Sequence, residues 1–199
     1  MKKYLPEQIS EITHCLLHGE TAVFPTETSY GLGCDARNVE AVEKIFAIKG
    51  RNKTKSLLVI VPSIEEAKKY LVWNEELEKL ASKYWPGPLT IVSEAVPSKL
   101  PLGVVAADGT LAVRVTAVPW LQTLTTNLRE PLVGTSANIT GLHRDLYDPE
   151  EVVNEFLDRD SEPDILVDGG LLPQRLPTTI VSVVGRGLKI LRQGELKIA

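Results

Sequence analysis

Residues Leu57-Leu58-Val59-Ile60-Val61 are apolar without interruption. A strand with one wet face alternates apolar and polar residues, whereas an unbroken apolar run suits a strand covered on both faces. Such a strand needs helices packed above and below its sheet, and the flanking sequence supplies them. Ile9, Ile12, Leu16 and Leu17 recur at helical spacing within 6–18, as do Val39, Val42, Ile45 and Phe46 within 38–48. Ser63 with Glu66 forms a capping box for a helix reaching about Leu71. Asn74 caps a further helix carrying Leu77, Leu80 and Ala81, and another helix spans 118–128. Asp148-Pro149 opens one more, with a cap residue before proline at the first helical position. Strands are expected at 21–25, 57–61, 89–95, 111–116, 132–135, 165–168, 178–184 and 188–193. About eight strands alternating with about six helices specify an α/β fold with a mixed sheet. No repeat, low-complexity stretch or linker divides the chain, so 1–199 reads as a single domain.

Composition excludes several classes of protein. No apolar run approaches the roughly 20 residues of a membrane span, and Met1–Glu7 lacks the apolar core of an export signal. The two cysteines, Cys15 and Cys34, are far apart and lack CxxC spacing. That argues against a disulfide framework or zinc site and predicts a cytoplasmic protein. The net charge is -4, whereas proteins that hold nucleic acid by bulk charge are usually basic. An anion site here has to be a local cluster.

One such cluster is Lys49-Gly50-Arg51-Asn52-Lys53-Thr54-Lys55, between a helix end and a buried strand. Strand ends of α/β proteins bind ligands, and Arg and Lys both suit phosphate. A solvated loop with cations at a helix C-terminus is the plainer reading. The stretch Pro25 to Gly33 reads as a strand entering a turn rich in hydroxyls and glycine, which presents donors to a ligand or merely bonds its own backbone. It contains Gly31-Leu32-Gly33-Cys34-Asp35-Ala36, a match to the dinucleotide fingerprint. The acid expected about 20 residues later is missing, however, and the basic loop stands there instead.

Gly134-Thr135-Ser136-Ala137-Asn138 leaves an apolar strand with small polar groups suited to a nucleotide or an amino-acid head group, or to a simple turn. Arg114 sits in Leu111-Ala112-Val113-Arg114-Val115-Thr116. By strand alternation Leu111, Val113 and Val115 face one way, and Ala112 with Arg114 the other. A buried arginine requires a partner, from the protein or from a ligand. The loop Ala137 to Tyr147 is polar, carries Gly141 and is a candidate lid. His14 and His18 lie four apart on the first helix, but no third metal ligand accompanies them.

Taken in order, these pieces resemble the YrdC/TsaC family, in its short single-domain form. The matching text is Pro25–Gly33, Lys49-Gly50-Arg51 with Lys55, and Trp85-Pro86-Gly87-Pro88-Leu89-Thr90. It continues with Val113-Arg114-Val115, Thr135 to Asn138 with Gly141, Thr178-Thr179-Ile180 and Arg192-Gln193-Gly194, over about 18–194. The resemblance implies a twisted mixed sheet flanked by helices, with a concave ligand cavity. It implies a threonylcarbamoyl-AMP synthase, a nucleotidyltransferase that joins L-threonine, bicarbonate or CO2 and ATP and releases pyrophosphate, for threonylcarbamoyladenosine formation in tRNA.

By the same resemblance Lys49 and Arg51 are catalytic. Arg51, Lys55, Thr110, Ser136, Asn138, Arg144 and Arg192 hold ATP. Thr28, Tyr30, Arg114, Gly134 and Thr178 hold threonine, with Arg114 on its carboxylate. No protein metal site is expected, since Mg2+ would ride mainly on the phosphates. tRNA or tRNA-modification proteins are the implied partners. Ile60 and Thr178 depart from the family pattern, which more often has His and Ser there. The alternative is a double-stranded RNA or tRNA-binding module without ATP turnover, which the net charge and the lack of aromatic stacking motifs disfavour.

Overall fold

Four helices begin where the sequence places a capping side chain. The computed structural model describes residues 1–52, 56–141, 144–185 and 187–198. Along the chain run β1 (Lys2–Tyr4), α1 (Ile9–Leu17), β2 (Ala22–Pro25), β3 (Tyr30–Gly33), α2 (Val39–Lys49), β4 (Leu58–Val61), α3 (Ile64–Ala67) and α4 (Glu75–Tyr84). They are followed by β5 (Leu89–Glu94), β6 (Thr110–Val115), α5 (Pro119–Leu128), β7 (Leu132–Ser136), α6 (Pro149–Phe156), β8 (Ile165–Val167), β9 (Thr179–Ser182) and β10 (Lys189–Arg192). Asn38 accepts from Ala41 N, Ser63 from Glu66 N, Asn74 from Leu77 N and Asp148 from Glu150 N, which satisfies donors a helix start leaves open.

The fold is α/β with one mixed sheet of 10 strands in the order β1-β8-β2-β3-β7-β4-β6-β5-β9-β10. Two strands were not expected from the sequence. β1 is a short polar edge strand paired only with β8, and it carries no apolar period. β3 falls in the stretch read as a turn, because its glycines look like turn residues. They serve packing instead: β3 is squeezed between β2 and β7, and a Cβ at Gly33 would lie 1.7 Å from the carbonyl oxygen of Val133. This explains the match to the dinucleotide fingerprint by close strand approach. The helix expected to reach Leu71 ends at Ala67 and continues as a turn.

Strand parity divides the sheet residues. Val59 and Val61 of β4, Leu111, Val113 and Val115 of β6, and Leu89 and Ile91 of β5 join the main core with residues of α2 and α4. On the opposite face Phe24, Ile60 and Leu132 pack with Ile12 and Leu16 of α1 and Leu121, Leu124 and Leu128 of α5. Each fully buried aliphatic or aromatic side chain contributes about 1.5–3 kcal/mol, so both layers hold the sheet. Helices α1 and α5 cover only part of their face. The rest is open.

Candidate active site

Beside the cover of α1 and α5, alternate residues of neighbouring strands line one hollow of about 510 Å³. That volume lies within the about 300–1,000 Å³ usual for small-molecule sites. Its floor is Thr90 and Val92 of β5, Ala112 and Arg114 of β6, Leu58 and Ile60 of β4, and Ile180 of β9. The ligand surface thus lies across the sheet face, not at the strand ends that the sequence suggested.

Arg114 is 5% exposed, with its side chain on the hollow. Its Nε stands 3.7 Å from Glu27 Oε1, and neither atom has a hydrogen-bond partner. Glu27 is held from the other side by Thr116, whose hydroxyl donates to Oε2 at 3.5 Å. A buried guanidinium is costly unless it is paired and hydrogen-bonded. Here the charge is balanced by Glu27 at 3.7 Å, and the Arg114 side chain borders the hollow. Ile60 pairs with Arg114 in register, so the wall next to this cation is apolar.

The end of α2 sets the second group. Gly50 adopts φ 55°, ψ 35°, its N–H donates to Ala47 O, and Arg51 N–H donates to Phe46 O. This paired arrangement closes the helix and turns the chain sharply. It sends Lys49 and Arg51 to different places. Arg51 enters the hollow and donates to Ser56 O at 2.8 Å, and burial lowers its pKa. Lys49 is 2% exposed and is absent from the lining. Its ammonium donates to Ser136 O and Asn138 O, each at 2.6 Å, and to Asn138 Oδ1 at 3.2 Å. Its own carbonyl accepts from Thr140 N–H at 3.0 Å.

The strand exit at 136–140 therefore wraps around Lys49. Burial, then the nearby Arg51 charge, push the lysine down to about 8. A lysine ammonium only donates and a carbonyl only accepts, so Lys49 fixes Asn138 Oδ1 and Arg144 O fixes Asn138 Nδ2 at 2.7 Å. Ser136 Oγ donates to the same Oδ1 at 2.6 Å.

The third group lies across the floor. Arg192 Nε and Nη2 donate to Thr178 O at 3.0 and 2.8 Å, and Nη2 also reaches Thr178 Oγ1 at 3.0 Å. Thr178 Oγ1 lies 3.2 Å from Thr90 Oγ1 in the buried floor. Gly194 permits this, because a Cβ there would meet Pro177 O at 2.0 Å. Burial lowers the pKa of Arg192.

Thr28, Tyr30, Arg51, Arg114, Gly134, Ser136, Asn138, Thr178 and Arg192 all border the hollow. Tyr30 works mainly as a strut. Its hydroxyl donates to Gly170 O at 2.8 Å and accepts from Gly169 N at 3.0 Å, and burial raises its pKa to about 12. Lys49 stands behind the wall. Thr110 lies past the rim, bonded to Asp108 at 2.7 Å. Arg144 is exposed and 3.9 Å from Glu155. Lys55 lies outside the described residues. The sequence reading gave no ligand role to Ser29, Ser56, Thr90 or Asp145, which also line the hollow. Thr90, a hydroxyl inside an apolar strand, was a usable signal, as was Leu146, the apolar anchor beside Asp145.

A family model described as telomere recombination, covering Sua5, YciO and YrdC, matches residues 14–194. The chain belongs to the Sua5/YciO/YrdC family. Among solved structures it resembles P. abyssi Sua5 complexed with L-threonine, at TM-score 0.86 and 28% identity over 97% of this chain and 56% of that one. A double variant of P. abyssi Sua5 matches at TM-score 0.86 and 29% identity, over 95% of this chain and 54% of the other. E. coli YciO shares the fold at TM-score 0.82 and 24% identity, over 97% and 92% of the two chains. The chain therefore spans about half the length of the Sua5 structures it matches. Among the described residues, no helix is long and apolar enough to cross a membrane, and no group of three or more His, Cys, Asp or Glu is placed to hold a metal ion.

Proposed function

We propose that this family member is a threonylcarbamoyl-AMP synthase. The reading rests on Arg114, a buried guanidinium that borders the hollow and is held by Glu27 at 3.7 Å rather than by a hydrogen bond. Such a group calls for a carboxylate-bearing ligand, since planar guanidinium and carboxylate match in two parallel bonds. P. abyssi Sua5 holds L-threonine, which supports the same ligand here. Thr28, Thr178 and the Gly134 backbone surround the small amino acid. Arg51 and Arg192 face the phosphates of ATP, with Ser136 and Asn138 on the intervening wall.

The threonine amine reacts with CO2 to give a carbamate and a proton, or with bicarbonate to give carbamate and water. A carbamate oxygen forms a bond to the α-phosphorus of ATP. The bond from that phosphorus to the bridging oxygen breaks, and pyrophosphate leaves with the electron pair. The protein's task is to align the reactants and balance phosphate charge, and alignment alone supplies about 7–11 kcal/mol. No protein nucleophile is required. Cys15 and Cys34 are buried, and burial raises both thiol pKa values.

Among the described residues the lining carries one carboxylate, Asp145, and a Mg2+ ion would be carried chiefly by the phosphates. Such an ion neutralises phosphate charge. The product would serve threonylcarbamoyladenosine formation in tRNA, through partner proteins. Pyrophosphate release from ATP tests the reading: it should require both threonine and bicarbonate. Release indifferent to threonine would overturn the reading, and tight RNA binding without ATP turnover would replace it with the RNA-binding alternative.

A further inference from the structure

We infer that Asp145 is the protein's own contact to the divalent cation that accompanies the nucleotide. Among the described residues, Asp145 is the one acidic residue on a lining that also holds Arg51, Arg114 and Arg192. Its place is built rather than incidental. The carbonyl of the preceding Arg144 accepts from Asn138 Nδ2 at 2.7 Å. The carbonyl of the following Leu146, itself fully buried, accepts from Tyr30 N–H at 2.8 Å. Next, Tyr147 O accepts from Leu172 N–H at 2.8 Å. The residue is thus pinned on both sides, by the wall around Lys49 and by the strand that carries Tyr30. Its negative charge is felt by Lys49 and Arg192.

A carboxylate bordering a site for a polyanion repels its ligand unless a cation stands between them. Mg2+ is bound in such sites through one or two carboxylates together with substrate phosphates, keeping several waters. Asp145 supplies that single carboxylate. The inference rests on the ATP-dependent reading above and adds the residue that makes nucleotide affinity depend on metal.

The test titrates ATP calorimetrically into wild-type protein and Asp145→Asn, each in Mg2+ and in EDTA, without turnover. Wild type should bind ATP about tenfold more tightly with Mg2+, and the variant should show little difference. The sign should also reverse: without metal Asp145→Asn binds ATP more tightly than wild type, because repulsion is gone, and with Mg2+ it binds more weakly. Asp145→Glu should recover part of the metal dependence. In wild-type protein, Mn2+ added with ATP should broaden the backbone amide signals of Asp145 and Leu146 selectively. Equal metal dependence in wild type and Asp145→Asn overturns the inference while leaving the ATP-dependent reading intact. So does tighter ATP binding by the variant in both buffers, which would make Asp145 a repulsive group only. If wild type binds no ATP in either buffer, the inference fails together with the reading beneath it.

Discussion

The ammonium nitrogen of Lys49 lies 2.6 Å from the carbonyl oxygen of Ser136, so a buried cation holds the exit of β7 from behind. Arg51, only two residues later, reaches the hollow itself. One sharp helix ending therefore divides two neighbouring cations between support and contact. The residues of this local motif have different jobs, and substitutions should separate them.

Replacing Lys49 with methionine keeps the chain length but removes the donor shared by Ser136 O, Asn138 O and Asn138 Oδ1; Ser136 O keeps Asn138 N–H and Asn138 Oδ1 keeps Ser136 Oγ, so Asn138 O loses most. An unsatisfied buried group costs about 1–3 kcal/mol, and the bonds lost by the other two acceptors add to that, offset in part because a buried charge is also removed. We expect Lys49→Met to lose about 3 kcal/mol in urea unfolding. Amide hydrogen exchange should quicken at Thr140, whose N–H bonds to the Lys49 carbonyl. An unchanged unfolding midpoint would refute the clamp.

The pH dependence follows from the same residue. Lys49 titrates at about 8 in the folded protein, against 10.5 for an ordinary lysine. Between those values the unfolded chain binds a proton that the native state does not, so this group's contribution makes stability rise with pH across that window. Nucleotide affinity moves the other way, because the wall loses positive charge as pH passes about 8. Calorimetric ATP titrations from pH 7 to 9 should show weakening in wild type and a flatter profile in Lys49→Met.

Arg51→Ala should weaken ATP binding about tenfold to a hundredfold and leave threonine affinity nearly unchanged. Arg114→Ala should do the reverse, and Arg114→Lys should not restore threonine binding, since an ammonium lacks the planar fork. Parallel titrations of both ligands into both variants check this. Equal losses for ATP and threonine in Arg51→Ala would contradict its assigned role.

Two glycines test packing against backbone conformation. In Gly33→Ala the new methyl would meet Val133 O at 1.7 Å, so the cost should reach about 3 kcal/mol or more. Gly50 has open space around a Cβ but sits at φ 55°, so Gly50→Ala should cost only about 1 kcal/mol. Thermal unfolding of the two variants gives the comparison.

Much of this architecture was legible in the sequence. Caps at Ser63, Asn74 and Asp148 marked helix starts, and the parity of 111–116 separated Arg114 from its core neighbours. β3 was hidden because glycine signals a turn and a tight strand contact with the same letter, and only the approach of Val133 distinguishes them. The hollow could not be drawn from sequence, because its members come from strands whose spatial order differs from chain order. Resemblance gathered Arg51, Arg114, Thr178 and Arg192 into one site. It could not tell that Lys49 stands behind the wall, since that depends on the turn at Gly50. Asp145 lay in a stretch where polarity alone carries no direction.

Because β4, β5, β6 and β9 each show odd and even positions to opposite sides, the hollow is encoded by counting. Inserting a single residue early in β6 would carry Arg114 into the oily layer and bring valines to the ligand. Point substitutions can retune this surface one group at a time, whereas length changes inside the strands erase it at once. Variation in length is therefore expected to be confined to connections such as 96–109, where it leaves the count undisturbed.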